Sequence, residues 1–384
     1  MKKTIYLDNA ATTPVTEEVV KAMLPYFTAQ YGNASEFHYW GQQARAAIET
    51  SRATLADFLG AKPEEIIFTS GATESINLAH KGLIEGLKVQ KFKNSPHIIT
   101  SQIEHKAVLE TCKHLEKLGW ATVTYLPVDQ YGLINLSDLE KAIKPETVLA
   151  SIMYVNNEVG TIEPLIEIGQ LLKKMDHKIY FHTDATQAIQ CLDCNIDRLG
   201  VDLLSLTGHK FGAPKGVGAL YVRRGTPLVR QQDGGSQESG LRAGTENVPY
   251  IVALGKATDL ISKLRILRDE LISGVLKISG VKLTGHPVKR APHVASFVVD
   301  GVEGEAILLH LSDAGVAAST GSACNSSNLE ASHVLKAMGL SEETSHGSLR
   351  LSLGPQTTKK EIDYVLEILP KIISDLRRMA PKNV

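Results

Sequence analysis

An acid and a lysine 26 residues apart are the side chains best suited to chemistry in this sequence. They are Asp184, in Tyr-Phe-His-Thr-Asp-Ala-Thr-Gln (180–187), and Lys210, in Ser-Leu-Thr-Gly-His-Lys (205–210). Each closes or follows a short apolar run. A carboxylate facing a pyridine nitrogen keeps that nitrogen protonated, and a lysine amine condenses with an aldehyde. Pyridoxal phosphate requires both, and strand ends of an open α/β sheet are where such ligands bind. Plainer readings exist as well: Asp184 can cap the helical stretch 185–189, and Gly-His-Lys can be an ordinary loop.

Other groups converge on the same rim. Ser-Gly-Ala-Thr-Glu-Ser (70–75) follows a strand pattern and opens a helix, so its N–H groups and helix dipole suit a phosphate, with Thr73 adding a hydroxyl. His105, in Ser-Gln-Ile-Glu-His-Lys (101–106), lies beyond another strand end, where a ring can stack on pyridoxal and shuttle protons. Asn156 and Gln187 are amides on that rim, able to orient the 3-oxygen of the cofactor. Cys324 sits in Ser-Thr-Gly-Ser-Ala-Cys-Asn-Ser-Ser (319–327), a stretch with no large apolar or helix-favouring residue. A mobile, exposed loop is expected there, and a thiol so placed is a candidate nucleophile. Cys191 and Cys194 form a Cys-x-x-Cys, but no second pair completes a zinc site and the setting is not that of a redox motif. Packing is the expected role for both, and for Cys112.

The elements that must hold these groups follow from the apolar pattern. Runs at 66–69, 97–101, 122–126, 148–155, 179–183, 203–206 and 217–222 are separated mostly by helical periodicity, beginning with helices at 16–32 and 42–59. Buried strands alternating with helices predict an α/β fold with a mainly parallel seven-stranded sheet flanked by helices. Residues 208–216 are too short for a crossover helix, so the last strand is expected antiparallel. After the glycine-rich stretch 233–244 the texture changes to one or two long helices (248–279) and then a smaller α+β C-terminal domain. That domain has strands near 295–299 and 349–352 and helices at 304–314, 329–338 and 358–378. The expected division is 13–255 for a large domain, with 1–12 and 256–384 forming the small one.

Composition excludes several classes. The 384 residues are 43% hydrophobic with a formal net charge of −1, which gives no electrostatic footprint for nucleic acid or an anionic membrane. No apolar run reaches the roughly 18 residues of a membrane span. Four cysteines are too few and too unevenly spaced for a disulfide framework. A cytoplasmic protein is expected.

At these residues the sequence closely resembles the cysteine desulfurases of the NifS/IscS type. These form part of the class V aminotransferase branch of the fold-type I PLP-dependent transferases. The motifs are Tyr-Leu-Asp-Asn-Ala-Ala-Thr-Thr-Pro (6–14), Phe-Thr-Ser-Gly-Ala-Thr-Glu-Ser (68–75), Glu-His-Lys-Ala-Val (104–108) and Asn-Asn-Glu-Val-Gly (156–160). They continue with Asp-Ala-Thr-Gln (184–187), Gly-His-Lys (208–210), Gly-Leu-Arg-Ala-Gly-Thr (240–245), Ser-Thr-Gly-Ser-Ala-Cys (319–324) and Leu-Arg-Leu-Ser-Leu-Gly (349–354). The resemblance implies that Lys210 holds pyridoxal 5'-phosphate, Asp184 its ring nitrogen, and His105 stacks on it. Asn156 and Gln187 would contact the ring. Ala72, Thr73, Thr207 and His209 would surround the phosphate, with Thr245 joining from the other subunit of a homodimer. Arg350 would clamp the carboxylate of an L-cysteine substrate, near Asn33. Cys324 would take the sulfur as a persulfide, leaving alanine, and pass it to an iron–sulfur scaffold or other sulfur acceptor protein. No resident metal is implied; Cys324 is a possible transient cluster ligand. A selenocysteine lyase or another class V aminotransferase is the alternative within the same fold, and Cys324 argues against transamination.

Overall fold

The computed structural model describes residues 4–90, 95–260, 265–321 and 331–379. Among the described residues twelve strands run in chain order: β1 (Ile5–Tyr6), β2 (Ile66–Thr69), β3 (His97–Ser101), β4 (Thr122–Leu126), β5 (Thr147–Ser151), β6 (Tyr180–Asp184), β7 (Leu203–Thr207), β8 (Gly218–Val222), β9 (Val281–Leu283), β10 (Val294–Val299), β11 (Val316–Ala317) and β12 (Ser348–Ser352). Seven of them form one sheet in the order β2-β8-β7-β6-β5-β3-β4. Neighbours from β4 through to β7 pair parallel, whereas β8 pairs antiparallel with both β7 and β2. The short β7–β8 connection has this consequence: with no room for a crossover, the chain must reverse.

Both faces of the sheet are covered, and the two-residue period of a strand divides its side chains between them. Ile99, Ala150, Leu204 and Tyr221 join one buried cluster, while their neighbours Ile98, Leu149, Leu203 and Leu220 join another. That is why the runs read as continuously apolar rather than alternating. β5 ends at Ser151, short of the expected 155, because the chain turns back: Val155 bridges antiparallel to Ile162, and Gly160 takes φ 77°. The single helix expected over 16–32 is two, Glu17–Met23 and Pro25–Thr28. Pro25 lacks the N–H that would continue the first.

A third cluster gathers Leu271, Phe297, Leu311, Leu349, Leu351 and Ile373 around the sheet β12-β10-β9 and the helix Lys359–Met379. Ile5 and Leu7 belong to this cluster as well, because β1 pairs parallel with β11 across more than 300 residues of sequence. The N-terminal segment thus starts among C-terminal elements. It then crosses to the large sheet, where Thr13 donates from its N–H to the His209 carbonyl at 2.8 Å.

Candidate active site

β2, β3, β6 and β7 deliver Thr69, Ser101, Asp184 and Thr207 to one end of the large sheet. A cavity of about 500 Å³ opens there, lined among others by Ala72, Thr73, His105, Asp184, Gln187, Thr207, His209, Lys210 and Arg350. Nine of the residues singled out from the sequence therefore share one wall.

Close backbone approach shapes the side of the cavity formed by residues 70–74. Gly71, at φ 151°, precedes the helical turn Ala72–Asn77. A Cβ on the facing Gly218 would come within 2.7 Å of the Gly71 Cα, so only glycine lets β8 pass so near. Glu74 is tied back by the Ser70 N–H (2.6 Å) and by Arg242 Nε (2.9 Å). Burial raises its pKa, but these hydrogen bonds outweigh that and hold it below the ordinary value.

Asp184 is nearly buried, and its Oδ1 accepts from the Thr186 N–H at 2.9 Å. The Thr186 hydroxyl, also on the cavity wall, is buried without a hydrogen-bond partner among the described residues. Lys210 Nζ donates to the carbonyls of Ala10 and Ala11, each at 2.8 Å. Ala10 O also accepts from Gln187 Nε2 at 2.9 Å. The other end of Gln187 meets His293 Nε2 at 3.1 Å, so its amide is held on both sides.

His105 caps the helix Lys106–Lys117, its Nδ1 accepting from the Ala107 N–H at 3.1 Å. That bond requires an unprotonated Nδ1, which assigns the neutral ring's proton to Nε2. Burial lowers the His105 pKa; Asp184 opposes the shift, and Lys210 and Lys106 add to it. His209 is lowered to about 4 by burial and by Lys210 and Lys215. Both imidazoles are therefore neutral near pH 7.

Some expectations need correction or fall elsewhere. Asn156 does not line the cavity. Its side chain is wholly buried, with Nδ2 on the Ile103 carbonyl and Oδ1 accepting from the N–H groups of Glu158 and Val159. The amide on the wall is its neighbour Asn157, because the turn at 156–160 needs one asparagine to cap it and presents the next. Asn33 is exposed, bonded to its own Ser35 N–H and not on the cavity wall. Thr245 is also exposed and outside this wall. Cys324 lies outside the described residues; Gly321, three positions before it, lines the cavity. Among the described residues no group of histidine, cysteine and acidic side chains is arranged to hold a metal, and Cys112, Cys191 and Cys194 are free thiols. Burial pushes all three thiols up, in keeping with packing roles.

Two acids that the sequence motifs assign no role, Asp8 and Glu104, stand close to these groups. Arg350, on β12, donates from Nη2 to Asp8 Oδ1 (2.9 Å) and from Nη1 to the Asn157 carbonyl (2.8 Å). Glu104 is fully buried beside Ser101 Oγ and the Met153 N–H, and burial raises its pKa to about 8. A carboxyl adjacent to His105 in the sequence was the available signal.

The wall suits pyridoxal phosphate. It offers an acid and an amine, a helix start brought close by paired glycines, and a buried hydroxyl lacking a partner among the described residues. Fold and site define the class of enzymes that carry this cofactor on an open α/β sheet. The chain belongs to the class V aminotransferase family, whose pattern it matches over residues 5–365. It is 51% identical to a cysteine desulfurase IscS of Methanosarcina thermophila, over 99% of this chain and 94% of that protein. A solved NifS-like protein superposes with TM-score 0.90 at 38% identity, covering 97% of this chain and 100% of that one. The solved SspA in complex with cysteine gives TM-score 0.82 at 39% identity, over 92% and 100% of the two chains.

Proposed function

We propose that this protein is a PLP-dependent L-cysteine desulfurase, transferring the sulfur of L-cysteine to Cys324 and releasing L-alanine. One observation carries the reading for this chain. Lys210, Asp184, His105 and Arg350 share a cavity whose wall includes Gly321, and three peptide units tie Cys324 to within about 11 Å of that glycine's Cα.

When bound, pyridoxal phosphate supplies an electron sink that weakens the Cβ–S bond of the substrate. Lys210 Nζ would tether it, Asp184 would hold its ring nitrogen protonated, and Ala72, Thr73, Thr207 and His209 would surround its phosphate. Asn157 and Gln187 would border the ring. The Arg350 guanidinium would take the substrate carboxylate, for which its planar fork is suited. His105, neutral with its proton on Nε2, would move a proton at the reacting centre. The Cys324 thiolate then attacks the substrate sulfur. The S–S bond forms as the C–S bond breaks, the electron pair stays with the carbon fragment, and a proton completes alanine. A thiol and cysteine give a persulfide and alanine, with no external oxidant.

Three wider proposals accompany this one. Residues 13–255 form the cofactor domain, and 1–12 with 256–384 the domain that carries Arg350 and Cys324. The active unit is a homodimer in which Thr245 reaches the partner's cavity. Support for that comes from a run of exposed rings, with Tyr31 67%, Phe37 85% and Tyr39 65% accessible, preceding the helix Tyr39–Leu59 or opening it. The persulfide serves an iron–sulfur scaffold or other sulfur acceptor protein, in the cytoplasm; no helix among the described residues is long and apolar enough to cross a membrane.

Incubating the holoenzyme with L-cysteine and a thiol reductant tests the reaction. Equal amounts of alanine and sulfide are expected, and pyruvate or keto-acid in their place would refute it.

A further inference from the structure

Arg350 is aimed before any substrate arrives. It is buried in the cavity wall, with two of its N–H groups engaged: Nη2 on Asp8 Oδ1 and Nη1 on the Asn157 carbonyl. A guanidinium carries five coplanar N–H groups, so among the described residues three remain for a ligand. Among these, Nε is buried with no partner among the described residues, a cost that a bound carboxylate would relieve.

Asp8 is fixed in register with the strand that bears Arg350. Ser352 N–H donates to Leu7 O at 2.7 Å, Asn9 N–H to Ser352 O at 3.2 Å, and Ala10 N–H to Ser352 Oγ at 2.8 Å. These bonds lock the backbone on both sides of Asp8 against β12. Two residues further on, the same segment holds the Lys210 amine through the Ala10 and Ala11 carbonyls. One short stretch of chain therefore sets the position of both the carboxylate-binding cation and the cofactor-binding amine. Without Asp8 the guanidinium would keep, among the described residues, only its bond to Asn157 O, and a long side chain would be free to rotate about it.

We propose that Asp8 is a positioning residue for substrate binding, which orients Arg350 so that its unused N–H groups meet the carboxylate of the amino-acid substrate. This rests on the reading of Arg350 as the carboxylate clamp.

The test is calorimetric binding of two probes to holoenzyme: L-alanine, which carries the carboxylate, and cysteamine, which lacks it. In Asp8→Ala, L-alanine binding should weaken about tenfold or more, the scale of a misaligned charge-assisted pair, with cysteamine unchanged. Asp8→Asn keeps an acceptor for Nη2 and should restore L-alanine binding to within about threefold of wild type. Asp8→Ser substitutes for Asp8→Ala if the latter does not retain the absorbance of bound cofactor. Unchanged L-alanine binding in Asp8→Ala, with Arg350→Ala weakened, would overturn the role of Asp8 and leave the clamp standing. Equal weakening of both probes would also overturn it, since that marks a general distortion. Unchanged L-alanine binding in Arg350→Ala would instead overturn the reading of the clamp itself.

Discussion

The two sides of the cavity are built differently. The cofactor side stands on ends of consecutive buried strands: Asp184 closes β6, Thr207 closes β7, and Lys210 follows within three residues. The substrate side is assembled from afar. Arg350 comes from a separate sheet, and its partner Asp8 lies 342 residues away in sequence. One side is rigid because parallel strands with both faces covered set it in place. The other depends on how the N-terminal segment threads between the two clusters.

Substitutions on each side should separate these dependences. Lys210→Ala, on the cofactor side, should remove the visible absorbance of tethered cofactor and lower alanine release by on the order of 10⁴-fold, read by spectrum and by alanine assay. Cys324→Ala should leave the spectrum intact and still lower sulfide release by on the order of 10³-fold. A variant that lost both would erase the contrast between the two sides.

His105→Gln should lower kcat by on the order of a hundredfold. The sign of its pH effect follows from the lowered pKa: the working ring is neutral, so activity falls with acid only below about 6.5, and a pH profile of kcat/KM should lose that limb in the variant. Arg350→Ala should raise KM for L-cysteine by roughly 30-fold with a smaller change in kcat, as expected when a charge-assisted hydrogen bond is lost.

The smallest effect lies away from both sides. Burial raises the Glu163 pKa to about 8, so the native state keeps a proton that the unfolded chain releases near 4.5. Its contribution to stability is thus lost as pH rises from about 4.5 to about 8. Glu163→Gln should reduce the fall in Tm between pH 6 and pH 8 by about a degree or two, measured by calorimetry.

The same contrast explains what was legible in the sequence. Strand ends could be read because apolar runs and their polar closures are local, which located Asp184, Lys210, His105 and the antiparallel turn into β8. The sequence does not tell which of Asn156 and Asn157 faces the cavity, because adjacent amides differ only in which one caps the turn, and that choice depends on Gly160 and the Ile103 carbonyl. Asp8 carried no signal as a partner of Arg350, since nothing in residues 6–14 indicates that β1 pairs with β11. Thr245 and Asn33 lie on exposed segments outside the cavity of a single chain, where sequence motifs carry no distance information.

In the proposed reaction sulfur passes through Cys324. Mass spectrometry of the peptide containing Cys324, after one turnover of holoenzyme with L-cysteine and no reductant, tests it most directly. This peptide is expected to gain the mass of one sulfur atom in step with the alanine released. An unmodified Cys324 alongside a full equivalent of alanine would contradict it.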